Sequence, residues 1–169
     1  TEVVVDSELA GRFYRDQVIE QVQSAAEALG YYQATADVTL RRADEDWALS
    51  VTITPGPRVQ VRGVTLDVTG EGADDPGLAR IRRIVPLQSG DALNHADYER
   101  SKRAMSNEAL QRGFFDYQFT TARLAVNADG GWADATLAMD SGQRYELGEV
   151  TFSSTPFRPA FLERLVPFR

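Results

Sequence analysis

The 169-residue sequence has no cysteine, one histidine, two methionines and no long apolar run. Without thiols there are no disulfides and no thiolate metal sites. That absence leaves the compartment open, since cysteine-free proteins occur in oxidising and reducing settings alike. The lone His95 would need carboxylates at helical spacing to build a metal site. Asp97 is two residues away and Glu99 four, so His95 reads as an exposed residue of a first helical turn. No apolar stretch approaches the length of a membrane-crossing helix. Positive charge is also short, with 18 Lys and Arg against 25 Asp and Glu, a net charge of −7. A nucleic-acid partner demands a basic face that displaces counterions from phosphates. Arg41-Arg42 and Arg80, Arg82 and Arg83 are short clusters beside acids, so no nucleic-acid partner is expected.

Familiar catalytic patterns are missing as well. Gly70-Glu71-Gly72 lacks the third glycine and the Lys-Ser/Thr of phosphate loops. Ser141-Gly142 and Ser153-Ser154 have no Gly-x-Ser-x-Gly context. Asp44-Glu45-Asp46 and Asp74-Asp75 do not match the spacing of a calcium loop. The carboxylates read as surface charge. No enzyme activity, cofactor or metal is expected. There is no initiator Met and no leader peptide, and the pattern is still running at Leu165-Val166-Pro167-Phe168-Arg169, so the sequence reads as a processed chain or an excerpt.

What is present is a repeat. Ala28-Leu29-Gly30-Tyr31-Tyr32 returns as Ala109-Leu110-Gln111-Arg112-Gly113-Phe114-Phe115-Asp116. In each, a helical pattern runs into a glycine, then an aromatic pair, then an alternating strand. Glycine can adopt the left-handed conformation that closes a helix. The aromatic pair is expected to anchor the outgoing chain in the core. Gly113 lies 83 positions after Gly30. Leu49, Val51 and Ile53 are matched by Ala135, Leu137 and Met139, 86 positions on, and Val59 and Val61 by Tyr145 and Leu147 at the same offset. A unit of this size is a small globular module, too long for a solenoid repeat.

Along the chain, Val18, Val22, Ala25, Ala26 and Leu29 mark one face of a helix from about Arg12 to Leu29. Ala36, Val38 and Leu40 alternate, as do Trp47, Leu49, Val51 and Ile53, which predicts an antiparallel hairpin closed by Pro55-Gly56-Pro57. A strand over Val59–Val68 changes phase at Arg62-Gly63, predicting a bulge, and the same slip is expected at Gly148. Asp75-Pro76 opens a short helix to about Val85. Asn94 caps a longer helix to Arg112, with Tyr98, Met105 and Ala109 inward. Strands Asp116–Val126 and Trp132–Asp140 follow. A third module is expected to begin with a strand from Tyr145 to Phe152 and a helix near Pro156 or Pro159. The expected fold class is α+β: tandem β-α-α-β-β modules, each a three-stranded mixed sheet covered on one face by two helices. The expected divisions are 1–56, incomplete at its N-terminus, 57–141, and 142–169, the start of a third module. Such sheets keep open edges, and an open edge can take an added strand.

These residues carry a family likeness. Ala-Leu-Gly-Tyr-Tyr-Gln at 28–33, Pro-Gly-Pro at 55–57, and Gly90, Tyr98, Lys102, Ala109-Leu110 and Gly113-Phe114-Phe115-Asp116 resemble polypeptide-transport-associated (POTRA) domains of the Omp85 superfamily. Asp140-Ser141-Gly142-Gln143-Arg144-Tyr145, Gly148-Glu149-Val150-Thr151-Phe152 and Leu165-Val166-Pro167-Phe168 look most like the translocation and assembly (TamA) branch. One departure is Gly-Phe-Phe-Asp in place of the commoner Gly-Tyr-Phe-Asp, which keeps the ring and loses a hydroxyl. The resemblance implies a periplasmic scaffold below an outer-membrane barrel that lies outside this sequence. It implies as partners a TamB-like inner-membrane-anchored subunit and nascent outer-membrane proteins. In POTRA domains the second strand of each module is the exposed edge, which falls here on Gln33–Leu40 and Gln118–Val126. The resemblance thus implies partner binding at Thr35, Asp37, Thr39, Gln118, Thr120, Ala122 and Leu124, with Gly30, Tyr31, Tyr32, Gly113, Phe114 and Phe115 as the structural motif. Within the superfamily the alternatives are BamA and two-partner secretion transporters. From another class, a carbohydrate- or peptidoglycan-binding module would use Trp47 and Trp132.

Overall fold

The computed structural model describes residues 7–43, 46–146, 148, 151–153, 158, 161 and 164. Helix α1 spans Ser7–Ala28, strand β1 Thr35–Ala43 and β2 Asp46–Thr54. Strand β3 (Gln60–Thr69) follows, then two single 3-10 turns (Glu71–Asp74 and Leu78–Arg80), the short helix α2 (Ile81–Ile84), helix α3 (His95–Gln111), and strands β4 (Gln118–Asn127) and β5 (Trp132–Asp140). The strands form two sheets. One is the antiparallel pair β1-β2. The other has the order β3-β5-β4, with β3 parallel and β4 antiparallel to β5. This mixed α+β architecture is the expected one.

The second sheet holds the core. Along β5, Ala133, Ala135, Leu137 and Met139 are all buried and the residues between them are not, the period of a sheet with one covered face. The cover is α3, whose Tyr98, Ser101, Met105 and Ala109 recur at helical spacing and are buried, with α2 and its neighbouring turns beside it. Asn94 starts α3 as a cap, its side-chain oxygen accepting from Ala96 N at 2.9 Å. Asp75 accepts from Gly77 N and Leu78 N ahead of the second 3-10 turn, and where one helix to about Val85 was expected the chain makes this turn and the four-residue α2. The register shift expected at Gly63 is present between Val61 and Gly63. A second shift, between Phe119 and Thr121 in β4, left no mark on the sequence pattern. The slip expected at Gly148 lies outside the described residues on both sides. Of the segment expected as a strand from Tyr145 to Phe152, the described residues carry no strand, and Leu147, Glu149 and Val150 are not described.

The first sheet is covered less well. Helix α1 packs against β1, and Val18, Ile19, Val22 and Ala26 are half-buried there. Ala25 and Leu29, expected on the inner face, are exposed instead. The reason is the width of the sheet: a two-stranded ribbon gives the helix too narrow a floor to bury a full stripe. The same geometry leaves Leu49, Val51 and Ile53 of β2 exposed at 47%, 36% and 52%, where their repeat counterparts Ala135, Leu137 and Met139 are at most 1% exposed. In the second sheet β3 flanks β5. Among the described residues nothing flanks β2 in that way.

Candidate functional site

Two strand edges stand open among the described residues on the side where binding was expected. Strand β4 pairs only with β5, and β1 pairs only with β2. Each therefore presents a row of backbone N–H and C=O groups without a strand partner. On β1, Thr35, Asp37 and Thr39 are exposed and alternate with the buried Val38 and half-buried Ala36 and Leu40. On β4 the residues divide. Gln118 is exposed at the start of the strand. Thr120 occupies the register shift, and its Oγ1 donates back to Ala138 O at 3.2 Å. Ala122 and Leu124 lie opposite the buried Leu137 and Ala135, so they point to the helix-covered face. The seven residues thus share an edge position, not one side-chain surface. What they have in common is the open backbone beside them, not a shared side-chain character.

The repeated Gly-aromatic junction builds two joints in the chain, one at the end of α1 and one at the end of α3. Helix α1 closes with Tyr31 N donating to Ala26 O and Gly30 N donating to Glu27 O. Helix α3 closes with Phe114 N on Ala109 O and Gly113 N on Leu110 O. Both are the same Schellman closure, and both glycines are left-handed, with φ of 90° and 87°. The repetition extends to what docks on the closure. Gly30 O accepts from Val59 N at 2.9 Å, and Gly113 O accepts from Tyr145 N at 2.8 Å. Val59 and Tyr145 are themselves repeat partners, 86 positions apart. One hydrogen bond therefore ties each helix end to the first residue of the segment that follows.

Side chains reinforce the first joint. Arg58 Nε donates to Leu29 O at 2.7 Å and its Nη2 to Leu93 O at 3.2 Å, while the guanidinium lies over the Tyr31 ring, 5.5 Å from its centre. Tyr32 Oη and His95 Nε2 are 2.6 Å apart. His95 is therefore half-buried against the joint instead of free in solvent. Burial first, then the negative charge of Glu27, pushes the Tyr32 hydroxyl pKa above its ordinary value. Gln33 Nε2 reaches Ala128 O in the β4–β5 turn at 3.3 Å. At the second joint Tyr145 donates to the Asp116 carboxylate and its ring packs on Phe115 with centres 5.9 Å apart. The hydrogen bond to Asp116 raises the Tyr145 pKa.

The aromatic pairs are not the uniform core anchors expected of them. Phe114 is fully buried, but Phe115 is 54% exposed, and Tyr31 and Tyr32 are half-buried. After a left-handed glycine the chain turns sharply, so two successive side chains point in different directions. One enters the core and its neighbour serves the joint. Trp132, singled out for glycan stacking, has one ring face covered by the Arg62 guanidinium at 3.4 Å, and Asp134 holds that arginine through two hydrogen bonds. The side chain of Trp47 lies outside the described residues. Among the described residues no three His, Cys, Asp or Glu side chains cluster in a way that could hold a metal ion, and no helix is long and apolar enough to cross a membrane. Sequence reasoning missed Arg58 and read Gln33 as the start of the edge strand, which begins at Thr35 instead; their contacts depend on backbone carbonyls brought close only by folding.

Residues 2–55 match the family model described as POTRA domain TamA domain 1. Residues 77–134 match the POTRA model described as surface antigen variable number repeat. The chain is similar in structure to POTRA domains 3–5 of BamA from Haemophilus influenzae, with a TM-score of 0.51 and 15% identity, over 91% of this chain and 61% of that one. It is also similar to BamA from Haemophilus ducreyi lacking POTRA domains 1–3, with a TM-score of 0.42 and 19% identity, over 82% of this chain and 24% of that one. A third similarity is to POTRA domains 1–2 of the periplasmic domain of Omp85 from Anabaena, with a TM-score of 0.39 and 14% identity, over 75% and 73% of the two chains. At such identities the first likeness speaks to fold alone, and the two with lower scores add nothing to it. The chain spans about three fifths of the first structure and about a quarter of the second.

Proposed function

Because residues 2–55 and 77–134 match POTRA models, we propose that this chain is a periplasmic scaffold of an outer-membrane protein assembly or translocation factor of the Omp85 superfamily. It holds a partner subunit and client polypeptides by strand addition and guides them to an outer-membrane barrel outside this sequence. The scaffold divides into 1–56, 57–141 and the beginning of a third module at 142–169. It acts by binding rather than catalysis. The TamA type is the favoured branch, with a TamB-like subunit as the inner-membrane-anchored partner and nascent outer-membrane proteins as clients.

The observation that carries the proposal is the outer position of β4 in the β3-β5-β4 sheet, with no second neighbour among the described residues. Each backbone hydrogen bond added there contributes about 0.5–1.5 kcal/mol net. A short pairing therefore gives a modest affinity that depends little on client sequence, which suits a protein that must pass on many different clients. Thr120→Pro tests this directly. Thr120 lies at the register shift, a place where proline is tolerated in a strand. The substitution should keep the circular dichroism and melting profile of a folded module while weakening binding of an extended client peptide several-fold. Unchanged peptide binding by a folded Thr120→Pro protein would count against strand addition at β4.

A further inference from the structure

The second sheet has two outer strands, β3 and β4, and their outer sides differ. The connection from α2 to α3, residues 85–94, runs beside the start of β3. Leu93 N donates to Val59 O at 2.8 Å, while Val61 N donates to Asp91 O and Gly90 N to Val61 O, each at 2.7 Å. Gln60 and Ala92 form an antiparallel bridge there, and Ser89 Oγ donates to Arg62 O at the bulge. The connection is fixed in place by the buried Val85, Leu87 and Leu93, and by Leu87 N, which donates to the buried Ser101 Oγ at 3.3 Å.

Past the bulge no backbone bond from this connection reaches β3 among the described residues. Residues 64–69, at about 3.3 Å each, leave on the order of 20 Å of edge, enough for a short added strand. A cleft of about 210 Å³ is lined by Val64 and Leu66 of this stretch, by Val85 and Leu87, and by Arg82. Bare backbone next to an apolar cleft invites strand addition. One group stands in the way. Arg82 Nη2 donates to Leu66 O at 3.3 Å, in the middle of the stretch. Gln88 Nε2 holds the backbone from which Arg82 projects, donating to Val85 O at 2.8 Å and to Arg82 O at 3.4 Å. Among the described residues Arg82 makes no ion pair, so no carboxylate competes with that carbonyl.

From this we propose that Arg82 is a guard on the β3 edge, which makes the second sheet one-sided: open to an added strand at β4 and closed to one at β3. A strand arriving at β3 must displace the guanidinium from Leu66 O and leave a charge beside an apolar cleft, which is costly. One-sidedness matters for a scaffold. With both edges open, one sheet would bridge two clients, or two copies of the chain, into a growing sheet. The inference rests on the strand-addition reading given above and adds which edge is used and what closes the other.

The test uses a peptide of about 10 residues, alternating Thr and Val, with a benzoylphenylalanine photo-cross-linker at its centre. It is irradiated with the unmodified chain, with Arg82→Ala and with Arg83→Ala, and the cross-linked positions are mapped by mass spectrometry. Arg83 is the control, since it is exposed and carries the same charge, whereas the bond to Leu66 O belongs to Arg82. The guard requires cross-links on β4 and not on β3 in the unmodified chain. It also requires at least about a tenfold rise on β3 in Arg82→Ala, the effect of releasing one hydrogen bond from a charged donor. Labelling of β4 stays unchanged in both variants, which also reports that the module is folded. Equal labelling of β3 and β4 in the unmodified chain, no rise on β3 in Arg82→Ala, or the same rise in Arg83→Ala refutes the guard and leaves strand addition at β4 standing. If neither strand is labelled in any of the three proteins, the strand-addition reading falls and the guard falls with it.

Discussion

Gly30→Ala isolates the energetic role of the joint, because the chain supplies its own control. Gly30 and Gly90 have nearly the same left-handed backbone, with φ of 90° and 94°. An alanine pays the same steric cost at either, about 1–2 kcal/mol for an L-residue in that region. Both substitutions also gain about 0.4–1 kcal/mol by restricting the unfolded chain. What differs is the space. A methyl group at Gly90 meets nothing within 4 Å, whereas at Gly30 it would sit 2.5 Å from the Leu93 carbonyl oxygen. Leu93 is fully buried, and its oxygen is already held by Arg58, so it cannot withdraw without breaking that bond. Overpacking of this kind costs about 1–3 kcal/mol. Gly90→Ala should therefore lower the unfolding free energy by about 1 kcal/mol, and Gly30→Ala by about 2–4 kcal/mol. Urea unfolding followed by circular dichroism reads the difference, with the slope checked to show that both remain cooperative. Gly113→Ala should group with Gly30→Ala, since there too a backbone carbonyl oxygen, that of Tyr145, blocks the added methyl group. Equal losses at Gly30 and Gly90 would show that the helix closure matters only for backbone conformation, and the account of a packed joint would fail.

Two further outcomes follow from buried polar groups. Ser141 is fully buried, and its Oγ accepts from Gly72 N at 2.8 Å. Ser141→Ala strands that buried N–H and should cost about 1–3 kcal/mol in the same urea assay; a loss well under 1 kcal/mol would mean another acceptor replaces it. Asp75 is held below the usual carboxylate range. Burial pushes its pKa up, but the N–H groups of Leu78 and Gly77 and the charge of Arg112, 2.9 Å away, outweigh that effect. A depressed folded pKa means that Asp75 stabilises the fold above its unfolded value, near about 4, and that this contribution is lost as pH falls through the folded value. Asp75→Asn should therefore be less stable at neutral pH and show a shallower decline below about pH 4. A decline as steep as that of the unmodified chain would assign the acid sensitivity elsewhere.

Several elements were legible in the sequence because their cause is local. Periodicity marked the hairpin, β5 and the inner face of α3. Asn94 marked a helix start, Asp75 marked a turn, and the phase change at Gly63 marked a bulge, because one extra residue must reverse the alternation. The repeat offset, drifting from 83 to 86, already paired Gly30 with Gly113 and Val59 with Tyr145, the groups that the hydrogen bonds of the two joints now link in the same way. The register shift at Thr120 was invisible because it falls within a run of small polar residues where either phase looks alike.

Sequence by itself determined the two long helices and the strands up to Asp140, where those helices end, and that one unit occurs more than once, since these follow from side-chain spacing and the backbone freedom of glycine. Only the tertiary structure decided burial and adjacency. It separated the buried Phe114 from the exposed Phe115 and left Leu49, Val51 and Ile53 uncovered while burying their counterparts. It also brought the Gln33 side chain to the Ala128 carbonyl, 95 residues away in the chain. Such outcomes depend on which surfaces meet across the fold, and no periodicity within a segment encodes what lies opposite it.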